Sequence, residues 1–272
     1  MNNAENYYNI HSQGYVGKWD LSDTGLQRPA NYYRLQIIKE MFSAVSLQPG
    51  DKVVEIGCGT GLVLSELLKV TRPLYGTDIS VEMLERVKDS LLKDKKVTIV
   101  TDFNDVLNNM GSDVFLMQND FLHLRIPKNY FDKIISMEVL RYIDDVPKSL
   151  ENVASIMKEN SIFVFTITNL FSFSFFPIKY SIRKFFNLIN KKDELLQYFV
   201  TEGQIKREIK NAGLKIISFK KLNLLSFNPI VESIVDTDNK ARKIIRWDNL
   251  LSKIPIINHF FDTFIIAVKL DK

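Results

Sequence analysis

The sequence predicts a doubly wound α/β fold around a mostly parallel sheet of seven strands, with an antiparallel strand at one edge. Three observations predict it. Short β-branched runs alternate with helical apolar stripes over most of the 272 residues. One early run ends in a cluster of glycines that opens a helix. The last two runs follow one another with no clear helix pattern between them, which suits an antiparallel edge.

Each element has its own signal. Pro29 can occupy the first turn of a helix running through Tyr33, Ile37, Ile38 and Met41. Pro49-Gly50-Asp51 is a turn, and Lys52 to Ile56 is a strand that ends in glycines. Thr60 to Val70 is helical, with Leu64, Leu67 and Leu68 on one side. A second short strand, Pro73 to Thr77, ends at Asp78, and Ser80 can cap a helix from Val81 to Leu92. Between Asp94 and Asp113 the pattern suggests an extra strand (Val97 to Val100) and a short helix. Strands then follow at Val114 to Gln118, Phe131 to Ser136 and Ile162 to Ile167, with a helix over Val146 to Lys158. Thr201 with Gln204 is a capping box, Gly213 closes the helix after it, and Leu214 to Leu222 and Phe260 to Lys269 are the final strands. The expected organisation is one domain over 1–272, with an N-terminal arm and helix (1–46) and two insertions, 170–200 and 228–258, acting as lids on the substrate side.

Composition excludes several classes. A single cysteine rules out an internal disulfide and a Cys-rich metal site, and three scattered histidines offer no metal-ligand spacing. A net charge of +4 is too mild to indicate nucleic acid. Met1 to Ile10 carries no basic residue, so no secretory signal is expected, and cytoplasmic residence is the default. Asn160 to Ile178 is uncharged, but its polar residues, Pro177 and strand-like first half argue against a membrane span.

The sharpest feature is Val53-Val54-Glu55-Ile56-Gly57-Cys58-Gly59-Thr60-Gly61, followed by Asp78 at the end of the next strand. Glycines there let a ligand approach the backbone, and Asp78 on the neighbouring strand can accept both hydroxyls of a ribose. The spacing is GxGxG rather than the GxGxxG of dinucleotide loops. A carboxylate at Glu55 would repel a diphosphate but pair with a cationic amino group. The pattern fits a nucleoside that carries an amino acid.

With these residues the sequence resembles the class I S-adenosylmethionine (SAM)-dependent methyltransferases, whose fold is Rossmann-like. Val53 to Gly61 matches the family's first motif, and Gly76-Thr77-Asp78-Ile79-Ser80 its second-strand motif. Gln118-Asn119-Asp120-Phe121 matches the stretch that reads and stacks on the adenine, and Tyr130 to Leu140 the wall beside the methyl donor. The resemblance implies a cofactor set of Glu55, Gly57, Cys58, Gly59, Gly61, Asp78, Ile79, Met83, Asn119, Asp120, Phe121 and Met137. Asp102 competes with Asp120 as the adenine reader. Tyr15, from an arm that also holds Tyr7, Tyr8 and Trp19, would cover the cofactor, and Arg34 would pair with its carboxylate. Cys58 suits a close approach and is not expected to be a nucleophile. No metal is implied.

Methyl transfer to a hydroxyl benefits from a general base, for which His259, Glu138 and His11 are the candidates and His123 reads as a surface residue. The expected acceptor is an oxygen or nitrogen of a small-molecule, lipid- or sugar-linked compound, and not nucleic acid. Eight of the 19 phenylalanines lie between Phe163 and Phe186, six of them in the first insertion, where this fold builds its acceptor site. Residues 179–192 add five Lys or Arg and no acid, the pattern of a basic amphipathic helix suited to peripheral membrane contact through 170–192. The alternatives are a non-catalytic SAM-binding protein and an NAD(P)-dependent oxidoreductase.

Overall fold

The computed structural model describes residues 3–15, 21, 29–89, 92, 94–108, 111–174, 178, 180–182, 184–185, 195–225 and 238–271. Helix α1 (Asn3–His11) and a 3-10 turn (Ser12–Tyr15) form the N-terminal arm, and α2 (Pro29–Val45) leads into the sheet. Then follow β1 (Val53–Ile56), α3 (Leu62–Leu67), β2 (Leu74–Asp78), α4 (Val81–Asp89), β3 (Val97–Val100), α5 (Asp105–Asn108) and β4 (Val114–Gln118). The second half contains β5 (Lys133–Ser136), a 3-10 turn (Leu140–Tyr142), α6 (Val146–Ile156), β6 (Ile162–Thr168), α7 (Glu202–Asn211), β7 (Leu214–Leu222), α8 (Asp238–Leu251) and β8 (Thr263–Leu270).

The strand order is β3-β4-β2-β1-β5-β6-β8-β7. All pairs from β3 to β6 are parallel, and β8 runs antiparallel between β6 and the edge strand β7. The sheet therefore has eight strands rather than seven, because Val97–Val100 joins the edge beside β4. A second correction concerns the link before the last strand. It contains a 14-residue helix, α8, whose Ile244 and Ile245 pack on Tyr33 of α2. Its run of Lys and Arg hid the apolar face from a periodicity reading.

The sheet alternates because successive residues of a strand point to opposite faces. Val54, Tyr75, Phe115, Ile134, Phe163 and Phe165 face α6 and α7, while Val53, Leu74, Leu116, Ile135 and Val164 face α2, α3 and α4. Both faces are covered, as parallel strands require. The edge is protected differently: β7 bulges between Ile216 and Ser218 and carries Lys215, Lys220 and Lys221, which discourage pairing with another chain.

Local signals fix the helix starts. The Ser80 hydroxyl accepts the Met83 N–H at 3.1 Å, Asp145 accepts the Lys148 N–H at 2.9 Å, and the Thr201–Gln204 capping box closes in both directions at 3.2 and 2.8 Å. Helix α3 starts two residues later than its sequence pattern suggests, because Gly61 sits at φ 83° as its N-cap. A side chain there would meet Val87 Cγ1 of α4 at 2.8 Å, so the glycine lets the two helices approach. No helix among the described residues is long and apolar enough to cross a membrane. The uncharged run from Asn160 begins instead as β6, buried inside the sheet.

Two substitutions test this packing by chemical denaturation. Thr201→Ala removes one cap and is expected to cost about 1 kcal/mol. Leu64→Ala leaves a cavity under the glycine turn and is expected to cost about 2–5 kcal/mol.

Candidate functional site

The parallel register sets the site. Ile56 pairs with Thr77, so the chain leaves β1 as Gly57 beside Asp78 at the end of β2. The Thr77 carbonyl accepts both the Gly57 and Cys58 N–H, at 2.7 and 2.9 Å, and folds the turn back over the strand ends. Gly57 has φ 76°, and a Cβ there would overlap Val139 Cγ2 at 2.2 Å. Only glycine fits this position.

Asp78 is buried, and its two oxygens are held apart by the Gly59 N–H (2.8 Å) and the Ser80 N–H (3.0 Å). Each oxygen keeps acceptor capacity toward the cavity. Burial raises its pKa despite these bonds. Glu55, one residue before the end of β1, is also buried, and among the described residues its Oε2 has no hydrogen-bond partner. Burial, then repulsion from Asp78, pushes its carboxyl well above the usual range. The same two causes raise the Cys58 thiol, with Glu55 adding to the repulsion, so it stays protonated and unreactive.

These residues open onto a cavity of about 380 Å³. Glu55, Gly57, Cys58, Gly59, Asp78, Ile79 and Met83 line one side, Asn119, Asp120, Phe121 and Met137 the next, with Tyr15 and Arg34 from the N-terminal elements. The Asn119 amide accepts the Arg125 N–H at 2.8 Å, while its buried Nδ2 has no partner among the described residues. Asp120 caps its own turn by accepting the Leu122 N–H at 2.9 Å, and exposed His123 leans on it at 3.3 Å. Asp102 is exposed in the turn before α5, where it accepts the Asn104 N–H, so Asp120 occupies the position by the cavity.

Two expected site residues lie elsewhere. Gly61 does not line the cavity and serves helix packing instead. His259 is exposed in a 3-10 turn before β8, away from the lining. Its carbonyl, rather than its ring, is engaged, by Asn169 Nδ2 at 2.8 Å. His11 does line the cavity, with the Tyr7 ring centred 4.5 Å from its own.

The N-terminal arm contributes to the lining. Ala4, Tyr7, Tyr8, Ile10 and Tyr15 reach the cavity, and Gln118 Nε2 donates to Glu5 at 3.2 Å to hold α1 near the strand ends. Burial and the neighbouring Tyr142 raise the Tyr15 phenol to about 12. Trp19 lies outside the described residues.

Arg34 and Glu138 form an ion pair at 2.9 Å, and Arg141 reaches the same Glu138 oxygen at 3.4 Å. Glu138 sits at φ 59°, with its N–H donated to Thr166 Oγ1 at 2.7 Å. A left-handed non-glycine residue costs on the order of 1 kcal/mol, and here it aims the carboxylate at two guanidinium groups. Glu138 thus holds Arg34 and Arg141 together at the cavity.

Arg141 and Tyr142 were missed by the sequence reading. Both line the cavity, and the Arg141 guanidinium donates to the Tyr142 hydroxyl at 2.8 Å. Burial would lower Arg141, but Tyr142, Glu138 and Tyr8 around it raise it instead. Its spacing of three from Glu138 was a usable signal. Leu195, Leu196 and Tyr198, which also line the cavity, follow a charged stretch and carry no such signal.

A glycine turn, an acid at the end of the adjacent strand and a second buried carboxylate thus meet at one cavity of a doubly wound α/β domain. The chain belongs to the methyltransferase-domain family, whose model matches residues 27–219, and its cofactor is SAM. It is similar to the ubiquinone biosynthesis O-methyltransferase of Rhodopseudomonas palustris (strain BisB5), 23% identical over 198 residues, 70% of this chain and 67% of that protein. Uncharacterized protein MJ1252 of Methanocaldococcus jannaschii is 25% identical over 175 residues, covering 63% of this chain and 60% of that one. The match thus spans about three fifths of the latter relative's length. Among solved structures, magnesium protoporphyrin IX methyltransferase from Synechocystis PCC 6803 with bound S-adenosylhomocysteine shares the fold, with a TM-score of 0.59, 14% identity and 98% of each chain covered. Family membership sets aside the nicotinamide oxidoreductase reading.

The buried carboxyl has a measurable signature. Glu55 has a raised native pKa, so the folded protein without cofactor binds more protons than the unfolded chain. Its stability is expected to fall as pH rises from the unfolded value of about 4.3 toward that raised value, then level off. Denaturation at a series of pH values checks this. Glu55→Gln should flatten the slope, and an unchanged slope would contradict the assignment.

Proposed function

We propose that the protein transfers the methyl group of SAM to an oxygen or nitrogen of a small-molecule, lipid- or sugar-linked acceptor. The observation that carries this reading is the buried, unpartnered Glu55 Oε2 next to Asp78 at the mouth of a glycine turn. Two adjacent buried carboxylates need a ligand that brings positive charge and hydroxyl donors together. SAM, when bound, supplies a sulfonium methyl open to in-line displacement.

The chain's own residues divide the remaining work. Glu55 pairs with the amino group and Asp78 accepts the ribose hydroxyls. Asn119, through its unpartnered Nδ2, donates to an adenine ring nitrogen, Asp120 accepts from the adenine amino group, and Phe121, Ile79 and Met83 cover the base. Gly57, Cys58 and Gly59 allow close approach, and Arg34 reaches the cofactor carboxylate from the pair it makes with Glu138. Met137 and Arg141 wall the space where methyl and acceptor meet, so that orientation supplies much of the acceleration. Of the base candidates, His11 is favoured, because its ring lines the cavity beside the arm that excludes water.

The whole chain acts as one domain, with the arm over the cofactor and the two insertions on the acceptor side. It works in the cytoplasm and touches the membrane through 170–192. Of that segment's basic helix only Ile178, Tyr180, Ser181, Ile182, Lys184 and Phe185 fall within the described residues.

Calorimetric titration with SAM tests the cofactor half. Saturable binding is expected, and Asp78→Ala should weaken it about 100-fold or more, since it removes two charge-assisted hydrogen bonds worth about 1.5–3 kcal/mol each. Undiminished binding by Asp78→Ala would overturn the assignment. Formation of S-adenosylhomocysteine with candidate acceptors distinguishes the enzyme from a protein that only binds SAM.

A further inference from the structure

Among the described residues, most of the exposed bulky apolar side chains lie on the two segments after β6 and before β8. Phe171 is 58% exposed, Phe173 42%, Ile256 75% and Phe260 44%, with Leu170 and Ile254 beside them. The two segments form one unit. The Phe173 N–H donates to the Phe260 carbonyl at 2.8 Å, and Asn169 Nδ2 bridges the carbonyls of His259 and Phe261, each at 2.8 Å.

The exposure follows from what lies beneath. Ser172 and Ser174 alternate with the phenylalanines, and both hydroxyls donate inward to buried Asp262, at 2.6 and 2.7 Å. Asp262 also accepts from Thr263 Oγ1 at 3.2 Å. With the serines pinned inward, the same turn leaves Phe171 and Phe173 exposed. Contiguous exposed apolar surface of this kind marks a contact site.

Charge identifies the partner. Residues 170–192 hold five Lys or Arg and no acid, leaving 31 basic against 32 acidic residues in the rest of the chain. Over its whole length the first insertion, 170–200, sets these five against Asp193 and Glu194, and the second, 228–258, has five Lys or Arg against four acids, so the two insertions together carry the protein's net charge of +4. The second segment adds exposed Lys243, Arg246 and Lys253, whereas Asp248 between them is buried and accepts the Leu225 N–H at 3.0 Å.

We infer that this face docks on an anionic lipid bilayer. The exposed phenylalanines and isoleucines enter the headgroup–acyl boundary, and exposed cations such as Lys243, Arg246 and Lys253 meet lipid phosphates. The surface leads to the cavity: the Leu170 N–H donates to the Val200 carbonyl at 2.9 Å, and Leu196, four residues earlier, both lines the cavity and stays exposed. Resting on the methyltransferase reading, this places the acceptor side of the cavity toward the bilayer and favours an acceptor that partitions into lipid.

The test is co-sedimentation of the full chain with phosphatidylcholine vesicles, with and without phosphatidylserine, alongside SAM titration and light scattering. The protein should sediment with the anionic vesicles and stay in solution with the neutral ones. Phe171→Ser combined with Ile256→Ser should weaken vesicle binding about tenfold or more while leaving SAM affinity unchanged. Docking is overturned if the wild type ignores anionic vesicles or the double variant sediments equally well. It is also overturned if light scattering shows a dimer that the double variant dissociates, because the face then joins two copies of the chain. Loss of vesicle binding in a protein that binds SAM sinks only the docking, and sedimentation without SAM binding sinks only the methyltransferase reading.

Discussion

Two carboxylates buried side by side, Glu55 and Asp78, are the constraint on which the site depends. Charges of like sign in a low-dielectric setting repel strongly and lose their hydration. The fold tolerates them because adjacent parallel strands end there, and the N–H groups of Gly59 and Ser80 reach Asp78. Glu55 receives less compensation and keeps an unpartnered oxygen. Burial and this repulsion hold the Glu55 carboxyl above its usual range, an arrangement that a ligand with a cationic amino group and a vicinal diol would relieve. Binding specificity is thus paid for in stability of the unliganded state.

The remainder of the cavity is arranged around that pair. Gly57 brings the turn against Val139, so the glycine turn and the segment after β5 touch. Glu138, held in a left-handed conformation by Thr166, gathers Arg34 from α2 and Arg141 from the turn after β5. One carboxylate thereby links α2 to the turn after β5. The segment after the first insertion joins the same wall, since the Tyr198 N–H donates to the Arg141 carbonyl at 2.7 Å.

Much of this was legible in the residues. Strand ends, glycine turn, Ser80 cap and the Thr201–Gln204 box are local features, and local chemistry fixes them. Asp78 and Asp120 could be placed because strand register follows from a parallel sheet. What escaped depends on tertiary context. Gly61 belongs to the glycine pattern, yet its role is set by Val87 on a helix 26 residues away. His259 precedes the last strand, yet it lies exposed in a turn whose backbone Asn169 captures, away from the cavity. Helix α8 was hidden because its exposed face carries Lys, Arg and Trp247, and its buried face is only as wide as Tyr33 and α2 require.

The central claim is that burial and Asp78 hold the Glu55 carboxyl above its usual range in the empty site, so that pairing with the cofactor's amino group lowers it and releases protons. Calorimetry of SAM binding at pH about 6, in buffers of different ionisation enthalpy, measures this directly, because the ligand's α-amino group stays protonated there. The account predicts net proton release in the wild type that Glu55→Gln abolishes. Binding with no proton release, or with the same release in Glu55→Gln, would contradict it.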